Sequence, residues 1–451
     1  MTTLYTARWV LPISSAPVED GAVAVEGAHI VGVGTRRALA ERFPAAVLDE
    51  LGEAAILPGL VNCHSHLELT AMRGYLEEGD FKAWLTKLTL ARLERMTPDD
   101  LYISAAWGAV EAARAGITCV GDASDTGSAS LRALRDVGLR GIVYQESFGP
   151  NPVWARKRLE ELRGKIAWLR ALESEHVRVG VSPHAPYTVS APQLELIAEF
   201  ALAEHLPLMM HAAESEAEAQ FMIDGRGPFA DSLAERGIEW RAPGISTVQY
   251  LARHNVLGTR PLLAHCIRVD QADIEAIREA GASVAHCPKS NAKLGHGRAP
   301  FAAFLQSGIA TGLGSDSVAS NNTCDILEEA RFSVMLARAG GDRVGEERMI
   351  GAEDALAVAT TGGARALGLD QQTGSLAEGL QADLTVVALN GVHQLPVYDP
   401  TNALIFASSS RDVLLTVVAG QEVYRDGHAR QVDEERLRAR IEEIVRKIGS
   451  Q

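Results

Sequence analysis

Cysteine is scarce in this chain of 451 residues. The five present, Cys63, Cys119, Cys266, Cys287 and Cys324, are odd in number, widely spaced and set in apolar, strand-like contexts. That fits a reducing compartment better than a disulfide framework, so a cytoplasmic location is expected. Basic residues are also in deficit, 43 against 58 acidic ones, for a net charge of −15. Such a chain has no global attraction for phosphate backbones or anionic lipid, so neither nucleic acid nor a membrane is expected as a partner. No apolar run approaches membrane-spanning length and no h-region follows Met1, so neither a span nor a leader is expected. Internal repeats and low-complexity tracts are missing too. What the chain does have is 47% hydrophobic residues, enough for a sizeable core. Its length suits a large barrel with an accessory domain.

The first stretch alternates short β-rich runs, such as 21–25 and 29–33, with turns. From Ile56 the texture becomes strand and helix in alternation. Candidate strands are 56–66, 117–122, 141–146, 177–183, 206–211, 261–265, 283–286 and 309–315. Thr97-Pro98-Asp99-Asp100 opens one helix with an N-cap hydroxyl, a proline at N1 and a carboxylate at N3, and Asp270 with Asp273 opens another. Eight strands alternating with helices over roughly 300 residues predict an α/β fold, a (β/α)8 TIM barrel. After about Gly368 the β texture returns, with a hairpin over 413–424. The two β-rich ends are expected to meet as one small β-sandwich. The expected division is 1–56 and 369–451 for that domain, the latter with a terminal helix, and 57–368 for the barrel. The helix, over 433–448, carries Leu437, Ile441, Ile444 and Ile448 at helical spacing.

The chemistry begins at Leu57-Pro58-Gly59-Leu60-Val61-Asn62-Cys63-His64-Ser65-His66. Alternation on a strand sends His64 and His66 to the same side, a ready chelate for a first-row metal ion. Such a pair is weak by itself. Three further candidates, His211, His265 and Asp316, each close or follow a strand-like run, where barrel enzymes place their chemistry. A lone residue of this kind is more often a structural histidine or a helix cap; four endings in one chain are not. Cys63 and Cys266 adjoin these histidines but face the other way, as packing residues.

The order His-x-His, His, His, Asp in a barrel flanked by a split β-domain resembles the amidohydrolase superfamily over nearly the whole chain. The specific pieces are the segment above, His211-Ala212-Ala213-Glu214, Ala264-His265-Cys266, His286-Cys287-Pro288-Lys289-Ser290-Asn291 and Gly314-Ser315-Asp316-Ser317. Within it the chain looks like the aminohydrolase branch of cytosine, guanine and adenosylhomocysteine deaminases and triazine hydrolases. Binuclear members carry a bridging lysine at the end of the fourth strand; 177–184 has none. The resemblance therefore implies one divalent ion, zinc with iron as the alternative, held by His64, His66, His211 and Asp316. His265 would hold the metal's water, or act as a fourth imidazole ligand. It also implies a hydrolase of C–N bonds other than peptide bonds, a cyclic amidine deaminase. Hydroxide generated on the metal attacks the ring, with Asp316 taking a proton and Glu214 protonating the ring nitrogen. The competing reading of Glu214 is an exposed helix start, since Glu216 and Glu218 follow it.

His184 matches a substrate-contacting histidine of such deaminases, with a buried structural histidine as the alternative. Trp84 matches an aromatic that lines their nucleoside pocket, or belongs to the core. Glu68 is a substrate contact or a buried structural acid. The ribose-binding carboxylate of adenosylhomocysteine and methylthioadenosine deaminases falls here on Leu93, and their His-Asn-Pro reads His286-Cys287-Pro288. Other stretches, 64–69, 211–215, 225–229 and 315–321, are more similar to aminofutalosine deaminases. All these readings share hydrolytic deamination of a small-molecule 6-aminopurine nucleoside. The alternatives are hydrolysis of guanine, cytosine, an s-triazine or a small cyclic amide, or a scaffold without activity. Homodimers are common among such proteins, and no interface is legible in the chain.

Overall fold

The computed structural model describes residues 1–77, 81–345 and 348–449, the side chains of 81–85 excepted. The apolar run 56–66 is two strands, not one. Ala54–Pro58 pairs antiparallel with Leu384–Ala388 in a mixed sheet, and Leu60–Ser65 opens a parallel one. The break falls at Gly59, where an added Cβ would lie 2.0 Å from Oγ1 of Thr118. Only glycine lets the chain pass that close to the neighbouring strand.

The parallel sheet holds eight strands: β1 (Leu60–Ser65), β2 (Ile117–Ser124), β3 (Arg140–Ser147), β4 (Val177–Pro183), β5 (Met209–Ala212), β6 (Leu262–His265), β7 (Ser283–His286) and β8 (Thr311–Leu313). Their order is β5-β6-β7-β8-β1-β2-β3-β4. The free edges meet through a Val181–Leu208 bridge and a 2.9 Å hydrogen bond from Val181 N–H to Pro207 C=O. The sheet is thus the closed (β/α)8 barrel that the alternation predicts. Its interior is packed by side chains such as Val61, Cys119, Ile142, Tyr144, Met209 and Leu262, with Leu367 and Leu369 in the same cluster. A larger apolar core lies between strands and surrounding helices. Both expected helix starts carry reciprocal caps, Thr97 with Asp100 and Asp270 with Asp273.

The small domain joins both ends of the chain. Five N-terminal strands within 2–58 and four C-terminal strands within 384–429 share one hydrogen-bonded mixed sheet. Tyr5, Val10, Val23 and Ile56 from the first group cluster with Leu384, Val386, Leu415 and Val417 from the second. A buried ion pair pins this domain to the barrel: Arg140 Nε donates to Asp383 Oδ2 at 2.8 Å, and Ala419 N–H donates to Asp383 Oδ1 at 2.8 Å. The terminal helix, Glu434–Gly449, buries Leu437, Ile444 and Ile448 and packs on the helix Pro98–Arg114, where Lys447 reaches Asp100 at 2.7 Å. Among the described residues no helix is long and apolar enough to cross a membrane.

Candidate metal and catalytic site

The C-terminal ends of the barrel strands converge on one point. His64 lies on β1 and His66 just past its end; His211 lies on β5, His265 ends β6 and Asp316 follows β8. The backbone there is bent out of ordinary strand geometry. Ala213, His265, Cys266 and Asp316 all have positive φ, between 46° and 74°, a strain typical of functional sites.

Asp316 Oδ1 stands 3.4 Å from His64 Nε2 and 3.6 Å from His66 Nε2, and His66 Nε2 stands 3.3 Å from His211 Nε2. His211 Nδ1 donates to the backbone carbonyl of His184 at 2.9 Å, so its Nε2 presents a lone pair. His64 is fully buried, and neither ring nitrogen finds a hydrogen-bond partner among the described residues. Burial keeps these rings neutral: it lowers His64, pushes His66 down to about 3, and takes His211 well below its usual value. Burial would raise Asp316, but His64 and the other histidines hold its carboxyl well below the usual range. Two overlapping trios, His64 with His66 and His211, and His64 with His265 and Asp316, bring their ligand atoms within 4.8 Å of one another, an arrangement that could hold a divalent cation. Ser317 N–H (2.7 Å), Ser290 Oγ (2.5 Å) and Ser320 Oγ (3.0 Å) orient the carboxylate of Asp316.

Beside this cluster stand further titratable groups. Asn291 Oδ1 accepts from His265 Nδ1 at 2.9 Å, which in the neutral ring leaves Nε2 as a lone pair, 3.8 Å from Glu214 Oε1; burial lowers this imidazole, but the charges of Glu214 and Asp316 outweigh it and raise it above its usual value. His296 Nε2 lies 3.6 Å from the same oxygen. Glu214 is not an exposed helix start. The helix begins one residue after Ser215, and Glu214 itself is buried. It is held there by Glu218, whose carboxylate accepts from the N–H groups of Ala213 (2.8 Å) and Glu214 (2.9 Å) and from Thr247 Oγ1 (2.6 Å). Burial, helped by the charges of Asp316 and Glu218, pushes Glu214 up to about 7.

A cavity of about 510 Å³ opens over these groups, lined also by Glu68, Arg92, Glu146, Phe148, His184 and Tyr187. His184 follows β4, and its ring packs 4.7 Å from that of His211 and 4.8 Å from Phe148. Glu68 is buried and receives four donors: Arg92 Nη1 at 3.0 Å, Ser124 Oγ at 2.9 Å, and the N–H groups of Asp125 (3.3 Å) and Thr126 (3.2 Å). Those bonds make it an organiser of the β2 loop and of Arg92. The side chain of Trp84 lies outside the described residues. Cys63 and Cys266 are buried free thiols. Asn291, Glu218, His296 and Glu146 have no role assigned from the sequence. Of these only Asn291 carried a signal, its place in the motif His286–Asn291.

The chain matches the Amidohydrolase family over residues 55–423 and belongs to it. A 5-methylthioadenosine/S-adenosylhomocysteine deaminase of Nitratidesulfovibrio vulgaris is 34% identical over 95% of this chain and 93% of its own. The zinc-bound structure of an adenosine deaminase from Xanthomonas campestris superposes with a TM-score of 0.87 at 27% identity, covering 99% of this chain and 98% of the other. Helicobacter pylori aminofutalosine deaminase, solved with methylthio-coformycin, shares the fold at a TM-score of 0.78 and 20% identity, over 94% of this chain and all of the other.

Proposed function

We propose that this protein hydrolyses the 6-amino group of a purine nucleoside, releasing ammonia, with one zinc ion held by His64, His66, His211 and Asp316. We place it in the cytoplasm, in keeping with five free buried thiols. The observation that carries the reading is Glu214. It is a buried carboxyl pushed up to about 7, beside the lone pair of His265 and over the convergent donor set. The relatives named above, deaminases of adenosine-type compounds, support it.

When bound, the ion supplies Lewis acidity that makes a water nucleophilic near neutral pH. His265 Nε2 accepts from that water and aims its oxygen at the ring carbon bearing the amine. Glu214 gives its proton to the adjacent ring nitrogen, which makes that carbon electron-poor, while Asp316 takes a proton from the attacking water. The carbon–oxygen bond forms as the ring's C=N bond is reduced to a single bond. Asp316 then returns its proton to the amine, the C–N bond breaks, and Glu214 recovers a proton from the new hydroxyl. One ammonia leaves, and both carboxyl groups return to their starting states.

The test is ammonia release from 6-aminopurine nucleosides by the zinc-loaded protein and by Glu214→Gln. The amide keeps shape and hydrogen bonding but cannot transfer a proton, so a loss of about 10²- to 10⁴-fold is expected at unchanged zinc content. Normal turnover by that variant would overturn the role given to Glu214.

A further inference from the structure

Glu329 lies on the helix Ile326–Ala339, fully buried and apart from the groups that line the catalytic cavity. Burying a carboxyl is costly, and an apolar side chain would pack there without that cost. Its presence is explained by what its two oxygens hold. Oε2 accepts from the backbone N–H of Lys289 at 3.2 Å, and Oε1 accepts from Asn321 Nδ2 at 2.6 Å. Burial pushes this carboxyl up to about 8 although Lys289 and Asn321 pull it down, and with or without its proton each oxygen keeps a lone pair for its donor. Lys289 belongs to the short helix Pro288–Lys293 after β7, and Asn321 ends the short helix Val318–Asn321 after β8. One carboxyl therefore ties two turns at the catalytic end of the barrel to each other.

The residues next to these two donors are the ones that touch Asp316. Ser290 follows Lys289, and its Oγ donates to Asp316 Oδ2 at 2.5 Å. Ser320 precedes Asn321, and its Oγ donates to the same oxygen at 3.0 Å, the two hydroxyls lying 2.9 Å apart. Asn321 Nδ2 gives its other proton to the carbonyl of Ser315, the residue before Asp316, at 2.6 Å. With Oδ2 fixed in this way, Oδ1 faces His64 at 3.4 Å and His66 at 3.6 Å. Asp316 has a φ of 57°, a backbone state that an aspartate keeps only where its surroundings impose it. The direction of its carboxylate thus depends on where the two turns stand relative to each other, and Glu329 bonds to both.

We propose that Glu329 is a positioning residue for Asp316: by holding Lys289 and Asn321 it sets Ser290 and Ser320 on Oδ2 and so aims Oδ1 at the point where His64 and His66 converge. The inference rests on the reading of Asp316 as metal ligand and proton carrier in a nucleoside deaminase, and extends that site to a buried residue that touches no substrate. Its loss should therefore weaken metal binding and lower kcat while leaving substrate binding alone.

The experiment measures the zinc dissociation constant by chelator competition, and kcat and KM for the fastest 6-aminopurine nucleoside, in the wild type and in Glu329→Gln. Glutamine keeps the shape but has one acceptor oxygen, so one of the two donors loses its partner. Zinc binding is expected to weaken by about 10- to 100-fold, and kcat of the zinc-saturated variant to fall by about 10- to 100-fold, with KM within about threefold of the wild type. In a Ser290→Ala/Ser320→Ala background the hydroxyls that carry the effect are gone, so Glu329→Gln should weaken zinc binding there by no more than about threefold further. If Glu329→Gln fails to fold by circular dichroism, Asn321→Ala, which cuts the same link on the Ser320 side, must show the same loss and the same redundancy. Unchanged zinc affinity in a folded variant overturns the inference, as does a full additional loss in the double-serine background or a raised KM with kcat intact. A wild type that binds zinc but releases no ammonia from any 6-aminopurine nucleoside overturns the deaminase reading, while the zinc measurements still decide the role of Glu329.

Discussion

Replacing Asn291 with leucine tests whether the tautomer of His265 is set from behind. Both residues are 1% exposed, and the Oδ1–Nδ1 contact is 2.9 Å. Leucine has the same branched shape and is somewhat larger, so neither a cavity nor a path for water is created. The imidazole then faces two outcomes. Its Nδ1–H can stay without a partner, or the proton can move to Nε2, which removes the lone pair facing Glu214 and the cavity. A buried donor without its partner costs about 1–3 kcal/mol, and at about 1.4 kcal/mol per factor of ten either outcome lowers kcat/KM by roughly 5- to 150-fold. Asn291→Asp restores an acceptor at the same position and should retain activity to within about tenfold. The assay is steady-state ammonia release with zinc content measured on the same preparations. Leucine and aspartate variants of equal activity and full zinc content would refute the reasoning.

Three further outcomes are expected. Arg140→Leu leaves Asp383 as a buried, unpaired charge between barrel and small domain, a loss of about 3–5 kcal/mol in urea unfolding. The double variant Arg140→Leu/Asp383→Leu should recover part of it, and additive losses would refute the pairing. Glu214 is pushed up to about 7, and the proposed chemistry needs its proton, so turnover should fall as pH rises through about 7. Its contribution to stability has the same sign, being present below the ordinary value of 4.5 and lost as pH rises to about 7. A rate that climbs steadily from pH 7 to 9 would contradict this assignment. Chelation should abolish ammonia release and lower the unfolding temperature, because three buried neutral histidines and Asp316 lose their common partner, and zinc should restore both. Unchanged thermal stability after verified metal removal would argue against the donor set.

How much could be read from the chain follows from where each residue's partners lie in sequence. His64, His66, His211, His265 and Asp316 each end or follow a run that looks like a strand, and parallel strands in a closed barrel bring such ends together by topology alone. Convergence therefore follows from the alternation of strands and helices, before any side-chain geometry is known. Gly59 shows the limit of that reading. An unbroken apolar run conceals a crossing between two sheets, because the crossing depends on Thr118, 59 residues further on. The Arg140–Asp383 pin was illegible for the same reason, its partners being separated by 243 positions.

Glu146 is the most instructive case. It stands next to the last residue of its strand, yet no motif surrounds it, and an isolated glutamate reads as a solvated residue. It gains significance only from the pairing of β3 with β4, which sets Glu146 against Ser182 and Ser147 against Pro183, and so delivers His184 to the adjacent corner of the cavity. The candidate chelating residues can be found one at a time because their chemistry is written in residue type. Glu146 is marked instead by an unanswered hydrogen bond, and that exists only once the barrel has closed.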